Sequence, residues 1–165
     1  MLFFTILTLT NLNAQEKQND ATWEETIEFI NKNKGFLSCY QEPFGYHFNC
    51  NIKDIQINEN TLKVRYQYIK SNEKSMSEKE QWFEVKLHKI SRVDKLNNKN
   101  IIRFFTTGKN IHFKSEYFID HDKKVYFFPV EDTEMFPRLL KAFKQLAYLA
   151  TKKREEVRKN SGDKF

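Results

Sequence analysis

Between Phe136 and Ala150 the segment FPRLLKAFKQLAYLA sets Phe136, Leu139, Leu140, Phe143, Leu146, Ala147 and Ala150 at spacings of three and four. On a helix these residues share one wide stripe, and Arg138, Lys141, Lys144 and Gln145 fall on the other face. A stripe this wide must be covered, so the chain has to supply a second apolar layer against it. Asp132 or Thr133 is placed to cap this helix, and Pro137 lies in its first turn, where a missing N–H costs little. From Thr151 onward the apolar pattern fades and charges dominate, which predicts a frayed helix end and then a mobile basic tail over 158–165.

The second layer is written in alternation. Leu62, Val64, Tyr66 and Tyr68 alternate with Lys63, Arg65 and Gln67, the period of a strand with one buried face. Phe83, Val85 and Leu87 alternate with Glu84, Lys86 and His88 in the same way. Ser38 to Tyr40 and Tyr46 to Asn51 flank a turn-forming stretch, Glu42 to Gly45, and Ile55 and Ile57 precede the polar turn Asn58-Glu59-Asn60. Further strands are expected at 101–107, 111–119 and 125–130, and 71–79 reads as a solvated loop. Ahead of them Thr22 and Glu25 form a capping box for a helix running from Thr22 to Lys34, with Gly35 placed to end it in a left-handed conformation. The expected fold is α+β: about seven antiparallel strands in a sandwich or partial barrel, an N-terminal helix and a long C-terminal helix.

A chain of 165 residues argues for one domain, and 16 Phe, 7 Tyr and 2 Trp give ample core material. Met1 to Leu12 carries no charge and is almost wholly apolar, and it is followed by Asn13-Ala14-Gln15 and then polar sequence. This reads as an export signal over 1–14, cleaved after Ala14, and the stretch is too short to span a bilayer. A buried N-terminal strand or helix is the plainer alternative. No Lys or Arg precedes Leu2, and Leu12 is larger than the residue usual at its position. The expected organisation is a signal over 1–14, a polar linker over 15–21, one domain over 22–157 and the tail. The expected location is periplasmic or extracellular.

The net charge is +6, of which the segment Lys152 to Lys164 supplies +3. Elsewhere basic and acidic residues are interspersed, which argues against a nucleic-acid partner, since a dedicated binder gathers Arg and Lys on one face. Nothing after the first residues is long and apolar enough to span a membrane.

The order of elements resembles the pleckstrin-homology-like superfold, and Phe136 to Ala150 is similar to the closing helix of small exported bacterial proteins with that fold. The resemblance covers residues 22 to 157 as architecture and the closing helix alone as sequence. It implies two antiparallel sheets closed by one amphipathic helix. Lipid-binding members carry basic residues in the loop between the first two strands, whereas here that loop is Gln41 to Gly45 (QEPFG), so phosphoinositide binding is not carried over. The helix Thr22 to Lys34 is an addition to the basic fold.

Residues that could carry chemistry are few. Cys39 and Cys50 lie about equally far from the turn at Phe44-Gly45, so they are either a bridge across a hairpin or two buried thiols. A bridge enclosing so short a loop would contribute ~2–3 kcal/mol. His47, His88, His112 and His121 are scattered, and only His121 has acidic neighbours, Asp120 and Asp122. That trio is either a polar hairpin tip or part of a site assembled from distant residues. No metal-protease spacing, serine nucleophile between glycines or phosphate-cradling loop is found, and with four glycines there is little material for one. No metal or cofactor is called.

Aromatic residues are dense, and adjacent pairs such as Phe104-Phe105 and Phe127-Phe128 must face opposite sides of a strand. Trp82, Tyr126 and Phe128 are the candidate partner surface. The reading is a non-enzymatic exported binding module, a monomer or weak oligomer, that takes a protein, a peptide or an apolar small molecule at a sheet edge or in a groove. The alternatives are a small periplasmic hydrolase built on His121, Asp120 and Asp122, and anionic-surface or nucleic-acid binding through the basic C-terminal end.

Overall fold

A computed structural model describes residues 20–41, 48–69, 81–114 and 121–162. Helix α1 (Trp23–Lys32) leads through a 3-10 turn, Lys34–Phe36, into strands β1 (Ser38–Gln41), β2 (Phe48–Ile57), β3 (Thr61–Ile69) and β4 (Gln81–Lys86). A second 3-10 turn, Leu87–Lys89, precedes β5 (Ile90–Lys95), β6 (Ile101–Thr106), β7 (Ile111–Lys114), β8 (His121–Lys123) and β9 (Val125–Pro129). Helix α2 (Met135–Asn160) closes the fold. The architecture is α+β with two helices and two antiparallel sheets, and it is compatible with the pleckstrin-homology-like resemblance. No described helix is long and apolar enough to cross a membrane.

The first sheet has the order β1-β2-β3-β4-β7-β8 and the second β5-β6-β9. They meet at two corners. The run 121–129 serves both sheets, β8 pairing with β7 and β9 with β6 on either side of Lys124. At the other corner Leu37 bridges Val130, and the Glu131 amide donates to the Phe36 carbonyl at 3.1 Å. The result is a partial barrel. Its interior is lined by alternate residues, among them Leu62, Val64, Tyr66, Phe83, Val85, Ile102, Phe104, Phe113 and Phe128, and α2 inserts Leu139, Phe143 and Leu146 into the same core. Phe143 is fully buried, stacked on Phe128 with ring planes 9° apart and edge-on to Phe104 at 5.2 Å.

Local chemistry explains most boundaries. Thr22 and Glu25 do form the capping box: the Glu25 amide donates to the Thr22 hydroxyl at 3.2 Å, and the Thr22 amide donates to the Glu25 carboxylate at 2.8 Å. Helix α1 stops before Gly35, because the Asn33 side chain donates to the Phe29 carbonyl at 2.8 Å and its backbone leaves the helical region at φ −106°. Gly35 then lies within the 3-10 turn and is not left-handed. Gly108 turns β6 into β7 at φ +76°, a left-handed conformation that favours glycine. At the head of α2 the Asp132 carboxylate accepts from the Met135 amide at 2.7 Å.

The structure departs from the sequence pattern at further places, and His121–Lys123, expected as part of a polar hairpin tip, is strand β8. β5 was not expected, because Ile90 and Val93 are buried three residues apart, without alternation. The cause is a bulge between Ile90 and Arg92, which inserts one residue and shifts the phase. α2 continues to Asn160, well past the end of its apolar stripe. Gln145, assigned to the solvent face, is buried and donates to the Ala21 carbonyl at 2.9 Å, tying α2 to the segment that enters α1.

Candidate functional site

Of the two cysteines, Cys50 is buried and disulfide-bonded, and the chain's other cysteine, Cys39, is its direct cross-strand partner in the β1–β2 register. The surface proposed from Trp82, Tyr126 and Phe128 is corrected. Tyr126 and Phe128 alternate with Phe127 and so point together into the barrel, where they are 2% and 0% exposed. Their rings pack at 5.0 Å from each other, and Tyr126 lies 3.9 Å from Phe83, so neither is open to a partner. Trp82 alone lies on the outer face, half-buried, with Lys63 over its ring at 4.5 Å and His112 beside it at 5.8 Å.

His112 is brought to Asp122, with Nδ1 and the carboxylate 2.7 Å apart. The pair arises from the register, which lines up Gln56, Lys63, Glu84, His112 and Asp122 across five strands. Both side chains are close to half exposed on an outer sheet face, an ordinary cross-strand polar pair. His47 and Asp120 lie outside the described residues, and so does the side chain of His121. Among the described residues no three His, Cys, Asp or Glu side chains gather as metal ligands would.

A different surface has the form of a binding site. Ile90, Ser91, Arg92 and Val93 of β5 face Lys144, Ala147, Tyr148 and Thr151 of α2 across a groove of about 260 Å3. The four helix residues recur at i, i+3, i+4 and i+7, so one helix face runs alongside one strand. Ile90 and Val93 are buried and give the groove an apolar floor. Arg92 stands at its rim, held to Asp94 at 3.0 Å and lying over the Phe105 ring at 4.0 Å. Arg103 holds the other oxygen of Asp94 at 2.7 Å, so that carboxylate is shared between two guanidinium groups. The lining residues include two cations, Arg92 and Lys144, and no acid.

The backbone of β5 completes the surface. β5 ends its sheet, with β6 as its one strand partner among the described residues. Just beyond it the Leu96 amide donates to the Ile101 carbonyl at 2.9 Å. In an antiparallel ladder the bonded pairs alternate, so Asp94 opposite Arg103 and Arg92 opposite Phe105 also face β6. The N–H and C=O groups of Val93 and the N–H of Lys95 therefore point the other way, to the open edge beside the groove, while the Lys95 carbonyl accepts from the Arg103 guanidinium at 3.3 Å. An edge of this kind is a template for another strand.

At the start of β5, His88 has its imidazole held below the usual range near 6.5. Burial is the first cause, and the charges of Arg154, Lys89 and Lys86 add to it. Positive charge thus collects at this end of the groove.

No family model, curated protein or solved structure matches the chain.

Proposed function

We propose that this chain is a non-enzymatic interaction module that takes up an extended peptide as an added strand along β5, beside α2. The observation that carries the reading is the pairing parity that turns the Val93 backbone groups and the Lys95 amide toward an apolar-floored groove. Main-chain bonds to the edge would supply affinity, and alternate side chains of the peptide would enter the groove. Strand addition needs no reactive side chain, which suits a surface lined by hydroxyl, aliphatic and basic residues. The apolar stretch over 1–14 supports a place for this module outside the cytoplasm, where the peptide would belong to another exported or surface protein.

The test uses the full chain and peptides selected from a random displayed library. Bound peptide is expected to slow amide exchange at Val93 and Lys95. The variant Lys95→Pro removes one outward N–H and leaves the β6 ladder whole, because Lys95 does not donate to β6. It should lose at least ~tenfold in affinity, a factor equal to about one hydrogen bond. Lys95→Ala should bind as the parent does. Selected peptides that leave both amides unprotected, or that bind Lys95→Pro undiminished, would overturn the reading.

A further inference from the structure

A second groove runs along another flank of α2. Ala21, Glu25, Thr26 and Phe29 form one wall and Arg138, Lys141 and Ala142 the other, around about 450 Å3. This lies within the range of small-molecule sites. Thr26 and Ala142 are buried, and Phe29 packs against the core. The Thr26 hydroxyl donates to the Thr22 carbonyl at 2.7 Å, so it is already used within the helix. The bond from Gln145 to the Ala21 carbonyl pins the two walls together.

The charges around this floor are unevenly committed. Glu25 is held in the capping box, and the bonds from Thr22 keep its carboxyl below the usual range, so it stays ionised and turned to the helix end. Arg138 and Lys141 are one turn apart on α2 and both exposed, and neither has an acidic partner among the described residues. The Arg138 guanidinium lies 5.3 Å from the centre of the Phe29 ring, at the junction of charge and apolar floor. With Glu25 counted, the groove keeps one positive charge uncompensated, which matches a monoanion.

We infer that this groove binds an amphiphilic carboxylate, its head between Arg138 and Lys141 and its apolar body along Phe29 and Ala142. A guanidinium receives a carboxylate through two parallel N–H bonds, which fixes the head, while the body replaces water over the ring and the methyl group. The site is separate from the β5 edge, and either stands without the other.

The experiment titrates the full chain with octanoate, octylamine and 1-octanol, three probes of one body and three heads, each below its aggregation concentration. Octanoate should bind most tightly and shift the NMR signals of Phe29 and Ala142. The double variant Arg138→Gln, Lys141→Gln alters exposed positions alone. It should weaken octanoate by roughly tenfold or more and leave octanol unchanged. The inference is overturned by octylamine binding as well as octanoate, by octanoate shifts that map elsewhere, by absence of octanoate binding, or by full affinity in the double variant.

Discussion

The two halves of α2 are one continuous helix with two different causes. Over 136–150 the helix is held by what it buries: Phe136, Leu139, Ala142, Phe143, Leu146 and Ala150 all lie in the core. Over 151–160 nothing is buried, and Val157 is 67% exposed. The last described contacts with the body are at Lys153, whose ammonium reaches Glu59 at 3.3 Å and lies 4.8 Å over the Trp23 ring. Beyond it the helix continues on backbone preference. Lys, Arg and Glu are good helix formers, Glu155 and Lys159 stand at i, i+4 in the favourable order, and Arg158 and Lys159 complement the dipole at the C-terminal turn. The fading of the apolar pattern therefore marks where packing ends, and the helix ends ten residues later.

The sharpest test of that contrast removes one side chain from each half. Phe143→Ala takes away a fully buried ring in contact with Phe104 and Phe128, and should cost ~3–5 kcal/mol in urea unfolding. Val157→Ala, also on α2, should change stability by less than ~0.5 kcal/mol. A large loss from Val157→Ala would mean that the second half is packed against something, and the contrast would fail.

A chain ending at Arg154 removes the unsupported turns and keeps Lys153 with its two contacts. Its unfolding free energy should fall by less than ~1 kcal/mol, because every described residue removed is exposed. Its helical circular-dichroism signal should still drop, since those turns are helical in the full chain. A loss of stability comparable to that of Phe143→Ala would show that the polar turns do more than extend the helix.

The same distinction between packing and backbone explains what was legible in the sequence. Elements whose side chains alternate or recur with strict period were readable, as in β3, β4 and the first half of α2. The capping box of α1 was readable because it is local chemistry between Thr22 and Glu25. β5 was missed because its bulge breaks the period that defines a strand, and with it went the groove that it forms with α2. Tyr126 and Phe128 were misread as surface because Phe127 lies between them, and the sequence alone does not say which phase of an all-aromatic run faces inward. The His112–Asp122 pair depends on cross-strand register, ten residues apart in sequence, which no local pattern encodes. The edge that carries the proposed function is thus a property of pairing, with no motif of its own.

The smallest predicted effect measures how far the second half of α2 acts on the body. His88 titrates below its ordinary range, first because its partial burial penalises the charged form and then because Arg154, Lys89 and Lys86 repel it. The unfolded chain, with an imidazole near 6.5, takes up the proton first as pH falls. This contribution to stability is therefore whole above about pH 6.5 and is lost as pH drops from there through the lower folded value. Urea unfolding between pH 7 and pH 5 should show the decline, and His88→Gln should flatten it. Arg154→Gln removes the charge contributed by α2 and should reduce the slope without abolishing it, because burial is the larger cause. If the slope vanished in Arg154→Gln, the helix beyond Ala150 would govern the protonation of His88, and the two halves would be coupled more tightly than their packing implies.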